Sequence, residues 1–111
     1  MLRGKGTNII MTEGDFGLNL PITIKGESFE PTDTIKVRIS QNDEEILTKT
    51  FTNIENNTFK FALTKEESEL LTPNYYVYSL DWYRGDTFLC NIIRNGLFEV
   101  EDKHWYGNSY K

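Results

Sequence analysis

The residues whose types could do chemistry are two acidic clusters, one histidine, one cysteine and three short motifs. Asp43-Glu44-Glu45 and Glu66-Glu67-Glu69 carry the oxygens a hard cation prefers. A calcium loop needs ligands at alternate positions around a central glycine, and neither cluster has that spacing, so both read as solvated turns. His104 is the sole histidine. It has no cysteine or second histidine at zinc spacing, and no nucleophile at motif spacing, so it reads as a surface histidine. Asp15-Phe16-Gly17 spells the kinase metal-binding triplet, but the glycine-rich loop, strand lysine and catalytic-loop pattern that give it meaning are absent from the sequence. Arg84-Gly85-Asp86 spells the tripeptide integrins read, yet all three are ordinary turn residues and the turn explanation is preferred. Asn56-Asn57-Thr58 fits a glycosylation acceptor only in a secreted eukaryotic chain and otherwise reads as a polar turn. The expectation is therefore no catalytic site, no cofactor site and no metal site: not an enzyme.

Aromatic residues are the stronger signal, at 14% of the 111 residues. In Asn74-Tyr75-Tyr76-Val77-Tyr78-Ser79-Leu80-Asp81-Trp82-Tyr83, the side chains of Tyr76, Tyr78, Leu80 and Trp82 share one side of a period-two strand, and Ser79 and Asp81 take the other. A stripe at this spacing is core more often than a sugar-stacking platform. Tyr75 and Tyr83 have the opposite parity and are the better candidates for exposed contacts. Trp105, Tyr106 and Tyr110 lie in a glycine-containing stretch after the last expected strand, where exposure is costly and interface anchoring common. These five are the interface candidates, the last three either folding back over their own domain or docking on a neighbouring subunit.

The formal charge of −5 repels a phosphate backbone, so nucleic acid is not expected as a partner. No apolar run approaches the roughly 20 residues that span a bilayer, so no membrane partner is expected either. Cys90 is the only cysteine, which leaves no internal disulfide and suits a reducing compartment; its strand pattern predicts a buried thiol.

The elements that position these residues are short strands. Thr7–Thr12 reads as a strand broken by Gly14-Asp15-Phe16-Gly17, and Leu18–Ile24 as a second whose Pro21 demands an edge or a bulge. Ile35, Val37 and Ile39 alternate with Lys36 and Arg38, and Asn42-Asp43 turns that strand into Glu45–Phe51 as a hairpin. After a turn at 53–57, Phe59, Phe61 and Leu63 share one parity. Thr64-Lys65-Glu66-Glu67 then has a capping-box layout that opens one helical turn, closed by Thr72-Pro73. The aromatic hairpin follows, turning at Arg84-Gly85-Asp86, and Asn95-Gly96 predicts a further turn into Leu97–Glu101. Seven or eight antiparallel strands at this spacing predict an all-β sandwich or barrel. The domain is expected over 1–103, with an aromatic tail at 104–111.

The order of these motifs resembles the N-terminal domains of phage upper-baseplate and related receptor-binding-platform proteins. The residues that carry the likeness are the turn at Gly14-Asp15, the run Asp33-Thr34-Ile35-Lys36-Val37, then Phe59, Phe61, Leu63, Thr64, Glu66, Glu67 and Ser68. Pro73, Tyr76, Tyr78 and Leu80 follow, and Gly96-Leu97-Phe98-Glu99-Val100-Glu101-Asp102 closes the series. Asn74 stands where that family has glycine. The resemblance implies an immunoglobulin-like β-sandwich and a structural role in a tailed-phage or prophage particle, in the tail or baseplate. It implies other virion proteins as partners, homo-oligomer formation, and location in the virion after synthesis in the bacterial host cytoplasm. The alternatives are a carbohydrate-binding module for a host-surface glycan and a capsid-surface accessory protein. The resemblance implies no catalytic residue.

Overall fold

The computed structural model describes residues 3–5, 7–17, 19–26 and 28–102. The expected tail, including Trp105, Tyr106 and Tyr110, lies outside the described residues. Among the described residues eight strands run in the order β1 (Arg3–Lys5), β2 (Asn8–Thr12), β3 (Leu20–Thr23), β4 (Asp33–Gln41), β5 (Glu44–Phe51) and β6 (Thr58–Phe61), then, after helix α1 (Lys65–Glu69), β7 (Asn74–Arg84) and β8 (Thr87–Glu101). They form a six-stranded sheet of order β1-β2-β8-β7-β4-β5 and a two-stranded sheet of β3 and β6.

Alternation builds the core between the two sheets. Ile35, Val37 and Ile39 of β4, Tyr76, Tyr78, Leu80 and Trp82 of β7, and Phe98 and Val100 of β8 are all buried, as are Phe59 and Phe61 of β6. Rings cross the gap: Phe61 meets Phe98 edge-on at 6.0 Å and Phe51 at 5.6 Å. Such contacts add to the burial of roughly 150–250 Å² that each aromatic side chain brings.

Local chemistry ends the elements as the sequence requires. Asn42 and Asp43 take φ of 53° and 64°, the left-handed pair that a two-residue hairpin turn between β4 and β5 needs. Thr64 caps α1, its hydroxyl accepting from the Glu67 amide while the Glu67 carboxylate accepts from the Thr64 amide at 2.8 Å. Pro21 sits in β3, which among the described residues pairs with β6 alone, so its missing N–H falls on the other edge.

Three expectations need correction. The sheet is not all antiparallel: β2 runs parallel to β8, with Ile9 opposite Phe98 and Met11 opposite Val100. Asn95-Gly96 makes no turn, because β8 passes straight through it and Gly96 faces Tyr78 across the ladder. The missing Cβ serves close approach instead, with the Tyr78 ring lying over the glycine. Cys90 is half-buried rather than sealed in the core.

β8 has a second irregularity. Its pairing with β7 shifts register three times, between Tyr78 and Leu80, Leu80 and Asp81, and Trp82 and Tyr83. Each shift places an extra residue on the β8 side, so Thr87–Val100 matches the shorter run Asn74–Arg84. Beyond the four residues that β2 covers, the rest of β8 forms a sheet edge among the described strands.

Candidate interaction surfaces

The two faces of β7 settle the aromatic question. Tyr76, Tyr78 and Trp82 are at most 6% exposed, so the stripe is core and no sugar stacks on it. Tyr75 points the other way and is 62% exposed. Tyr83 is only half-buried, because Phe88 packs edge-on against it at 5.5 Å and the Lys36 ammonium lies 4.6 Å from its ring centroid. Tyr75 and Tyr83 are eight residues apart on one strand, about 27 Å at the rise of an extended chain. The structure therefore does not bring them into one platform.

Between them the outer face carries a polar row that alternation alone misreads. Asp81, expected to be wet, is 3% exposed. Asn91, opposite it on β8, donates to Asp81 Oδ1, and Arg38 Nη1 lies 3.4 Å from Asp81 Oδ2. Arg38 Nε in turn lies 3.2 Å from Glu45 Oε1, an ion pair without hydrogen-bond geometry. The carboxylate is buried because it is paired, as a buried charge must be.

The hairpin tip has a comparable structural tie. Arg84 donates through Nε to Asp33 Oδ1 at 2.8 Å and through Nη2 to Asp33 Oδ2 at 3.2 Å, while Glu30 Oε2 lies 3.2 Å from the same Nε. Asp33 also accepts from the Glu30 amide at 2.8 Å. The Arg84 guanidinium holds the Asp33 carboxyl below the usual carboxylate range against the opposing effect of burial, with the Glu30 amide and the nearby Trp82 indole assisting. The indole N–H itself makes no hydrogen bond of ordinary geometry. With its arginine committed to this bidentate pair, Arg84-Gly85-Asp86 is a turn, with Gly85 at φ 59°.

The acidic clusters resolve in the same way. Lys49 Nζ reaches Glu67 Oε1 at 2.8 Å and donates to the Ala62 carbonyl at 2.7 Å, which ties β5 to the capped end of α1. Burial pushes the Glu67 carboxyl up, but Lys49 and the Thr64 amide and hydroxyl together bring it below the usual range. Among the described residues no group of three or more His, Cys, Asp or Glu side chains is arranged to hold a metal ion.

A cavity of about 260 Å³ opens where β2 begins, lined by Thr7, Asn8, Leu20, Ile22, Tyr78 and Ile93 among others. Its walls come from β1, β2, β3, β7 and β8, and the Tyr78 hydroxyl donates to the Thr7 carbonyl there. Burial pushes the Tyr78 phenol up. Past it, Phe88 and Leu89 stand 50% and 38% exposed on the β8 edge. Sequence reasoning missed this site because no local pattern links those five strands.

No protein-family model, curated protein or solved structure matches this chain.

Proposed function

We propose that the chain is an immunoglobulin-like domain acting as a non-enzymatic assembly protein of a tailed-phage or prophage particle, in the tail or baseplate. Its work is adhesion to other virion proteins and to its own copies. Support for the immunoglobulin-like reading comes from the strand order, in which β2 pairs parallel with the last strand and a helical turn joins the two sheets between β6 and β7. The Tyr76 hydroxyl donates to the Thr72 carbonyl at 2.8 Å, which resembles the tyrosine corner of that fold.

The observation that carries the adhesive reading is the stretch of β8 that no described strand covers, with Phe88 and Leu89 exposed on it. Exposed apolar groups next to unpaired backbone mark contact surfaces. Affinity in such contacts concentrates in a few aromatic anchors, here Trp105, Tyr106 and Tyr110, with Tyr75 and Tyr83 next. The test is the solution mass of the full chain and of a version ending at Lys103, by light scattering after size exclusion. The expected result is a discrete oligomer that becomes a folded monomer on truncation. A truncated chain that unfolds places the tail in the core and sinks this reading.

A further inference from the structure

We infer that a second cavity, at the connection between β5 and β6, is a binding site for a neutral saccharide. This activity goes beyond the assembly reading above and does not rest on it. The cavity holds about 480 Å³, within the roughly 300–1,000 Å³ of small-molecule sites. Its walls are of two kinds. Phe51 and Phe59 supply apolar surface, their rings tilted at 38° with centroids 5.1 Å apart. Asn53, Glu55, Asn56 and Lys60 supply polar groups, and all four are exposed. Among the described residues none of these four side chains has a hydrogen-bond or ion-pair partner.

The rim is built before any ligand arrives. Glu55 and Thr58 exchange both backbone hydrogen bonds, at 3.1 and 2.9 Å, around Asn56 and Asn57, whose φ of 51° and 58° make a type I′ turn. The Thr58 hydroxyl lies 2.8 Å from that of Thr23, and the Ile24 amide donates to the Asn57 carbonyl at 2.8 Å, so β3 braces the turn. Asn53 is left-handed as well, at φ 56°. Glycine would meet the same demand without a side chain, whereas asparagine at 53 and 56 adds an amide at each place. These groups define the ligand class. Each amide both donates and accepts, as each sugar hydroxyl does, while the Glu55 carboxylate accepts and the Lys60 ammonium donates. One negative and one positive group balance, so the site has no net charge with which to select an ion, and the chain's charge of −5 opposes acidic sugars. A purely apolar ligand leaves the four polar groups unused, and a phosphate meets the Glu55 carboxylate. A neutral ligand dense in hydroxyls, with a C–H face to lay against the phenyl surface, fits both kinds of wall.

The test is titration of the isotope-labelled full chain, followed by amide chemical shifts, with the methyl glycosides of glucose, galactose, rhamnose and N-acetylglucosamine. N-acetylneuraminic acid serves as the acidic probe. The expected result is saturable shifts centred on residues 51–60 for at least one neutral glycoside and none for the acidic sugar. Asn53→Gly and Asn56→Gly keep the left-handed backbone while removing each amide, and each should weaken binding about two- to ten-fold, the worth of one hydrogen bond. Tyr75→Ala, on the outer face of the large sheet, should leave the affinity unchanged. The inference is overturned if no neutral glycoside gives saturable shifts, if the shifts centre elsewhere, or if both glycine variants bind as the wild type does. Preferential binding of N-acetylneuraminic acid overturns it too, since the site would then select charge.

Discussion

Replacing Gly96 with alanine should destabilise the domain although it adds only one methyl group. A Cβ built there falls within 3.0 Å of three ring atoms of Tyr78, closer than real contacts permit. The ring has little freedom to yield. It is 3% exposed, packs edge-on against Phe98 at 6.4 Å, and is tethered by its hydroxyl to the Thr7 carbonyl. Overpacking of this kind costs about 1–3 kcal/mol. If the ring swings aside, the tether is lost as well, about 0.5–1.5 kcal/mol. Against this stands the lower backbone entropy of alanine in a strand, worth about 0.5–1 kcal/mol. The balance is a loss of about 1–3 kcal/mol, or a fall in Tm of roughly 4–20 °C for a domain of this size. Urea denaturation of the wild type, Gly96→Ala, Tyr78→Ala and the double variant forms a cycle that isolates the contact. The penalty of Gly96→Ala should largely vanish when Tyr78 is already alanine. A penalty below about 0.5 kcal/mol, or one unchanged in the Tyr78→Ala background, refutes the claim that β8 carries glycine here to admit the ring.

Two further expectations concern the ends of the sheet. The Asp33 carboxyl is depressed in the folded state, so its stabilising contribution is present above the unfolded value near 3.8 and is lost as pH falls through the folded value. Asp33→Asn should cost about 2–3 kcal/mol at pH 7, discounted because the Arg84 side chain is 37% exposed, and the gap between the urea midpoints of variant and wild type should narrow progressively as pH falls below 3.8. A gap that does not narrow as the pH is lowered assigns the loss to packing rather than charge. Tyr76→Phe removes only the hydroxyl that bonds Thr72, and should lower stability by about 0.5–1.5 kcal/mol without changing the denaturant slope; an unchanged midpoint removes the tyrosine-corner argument.

Much of the scaffold was legible because its signals are local. The alternation of Ile35, Val37 and Ile39, the Asn42-Asp43 turn, the Thr64–Glu67 capping box and the edge position of Pro21 each depend on residues within one or two turns of chain. Asn95-Gly96 failed because its signal is local and its role is not: the dipeptide is the strongest short hairpin signal, but the Tyr78 ring, eighteen residues before the glycine, claims it for packing. The parallel pairing of β2 with β8 joins residues about ninety positions apart, and nothing in either segment encodes direction. Asp81 follows the parity expected of an outward residue and is nonetheless buried, because Arg38 and Asn91 arrive from neighbouring strands to cover it. The Asp33–Arg84 pair and the cavity wall share this character: both are products of tertiary contact and left no periodic trace.

The irregularity of β8 connects that scaffold to its surface. Where β2 covers it, at Phe98–Glu101, the strand is a regular interior member of the sheet. Where it becomes an edge, extra residues enter three times, and Asn91, Arg94 and Asn95 interrupt the apolar run. A long flat edge bearing Phe88, Leu89, Ile92 and Ile93 would invite indiscriminate strand pairing, and bulges and charge are how such edges are blunted. Bulging denies the backbone ladder to chance partners but leaves the side-chain cavity beside it open.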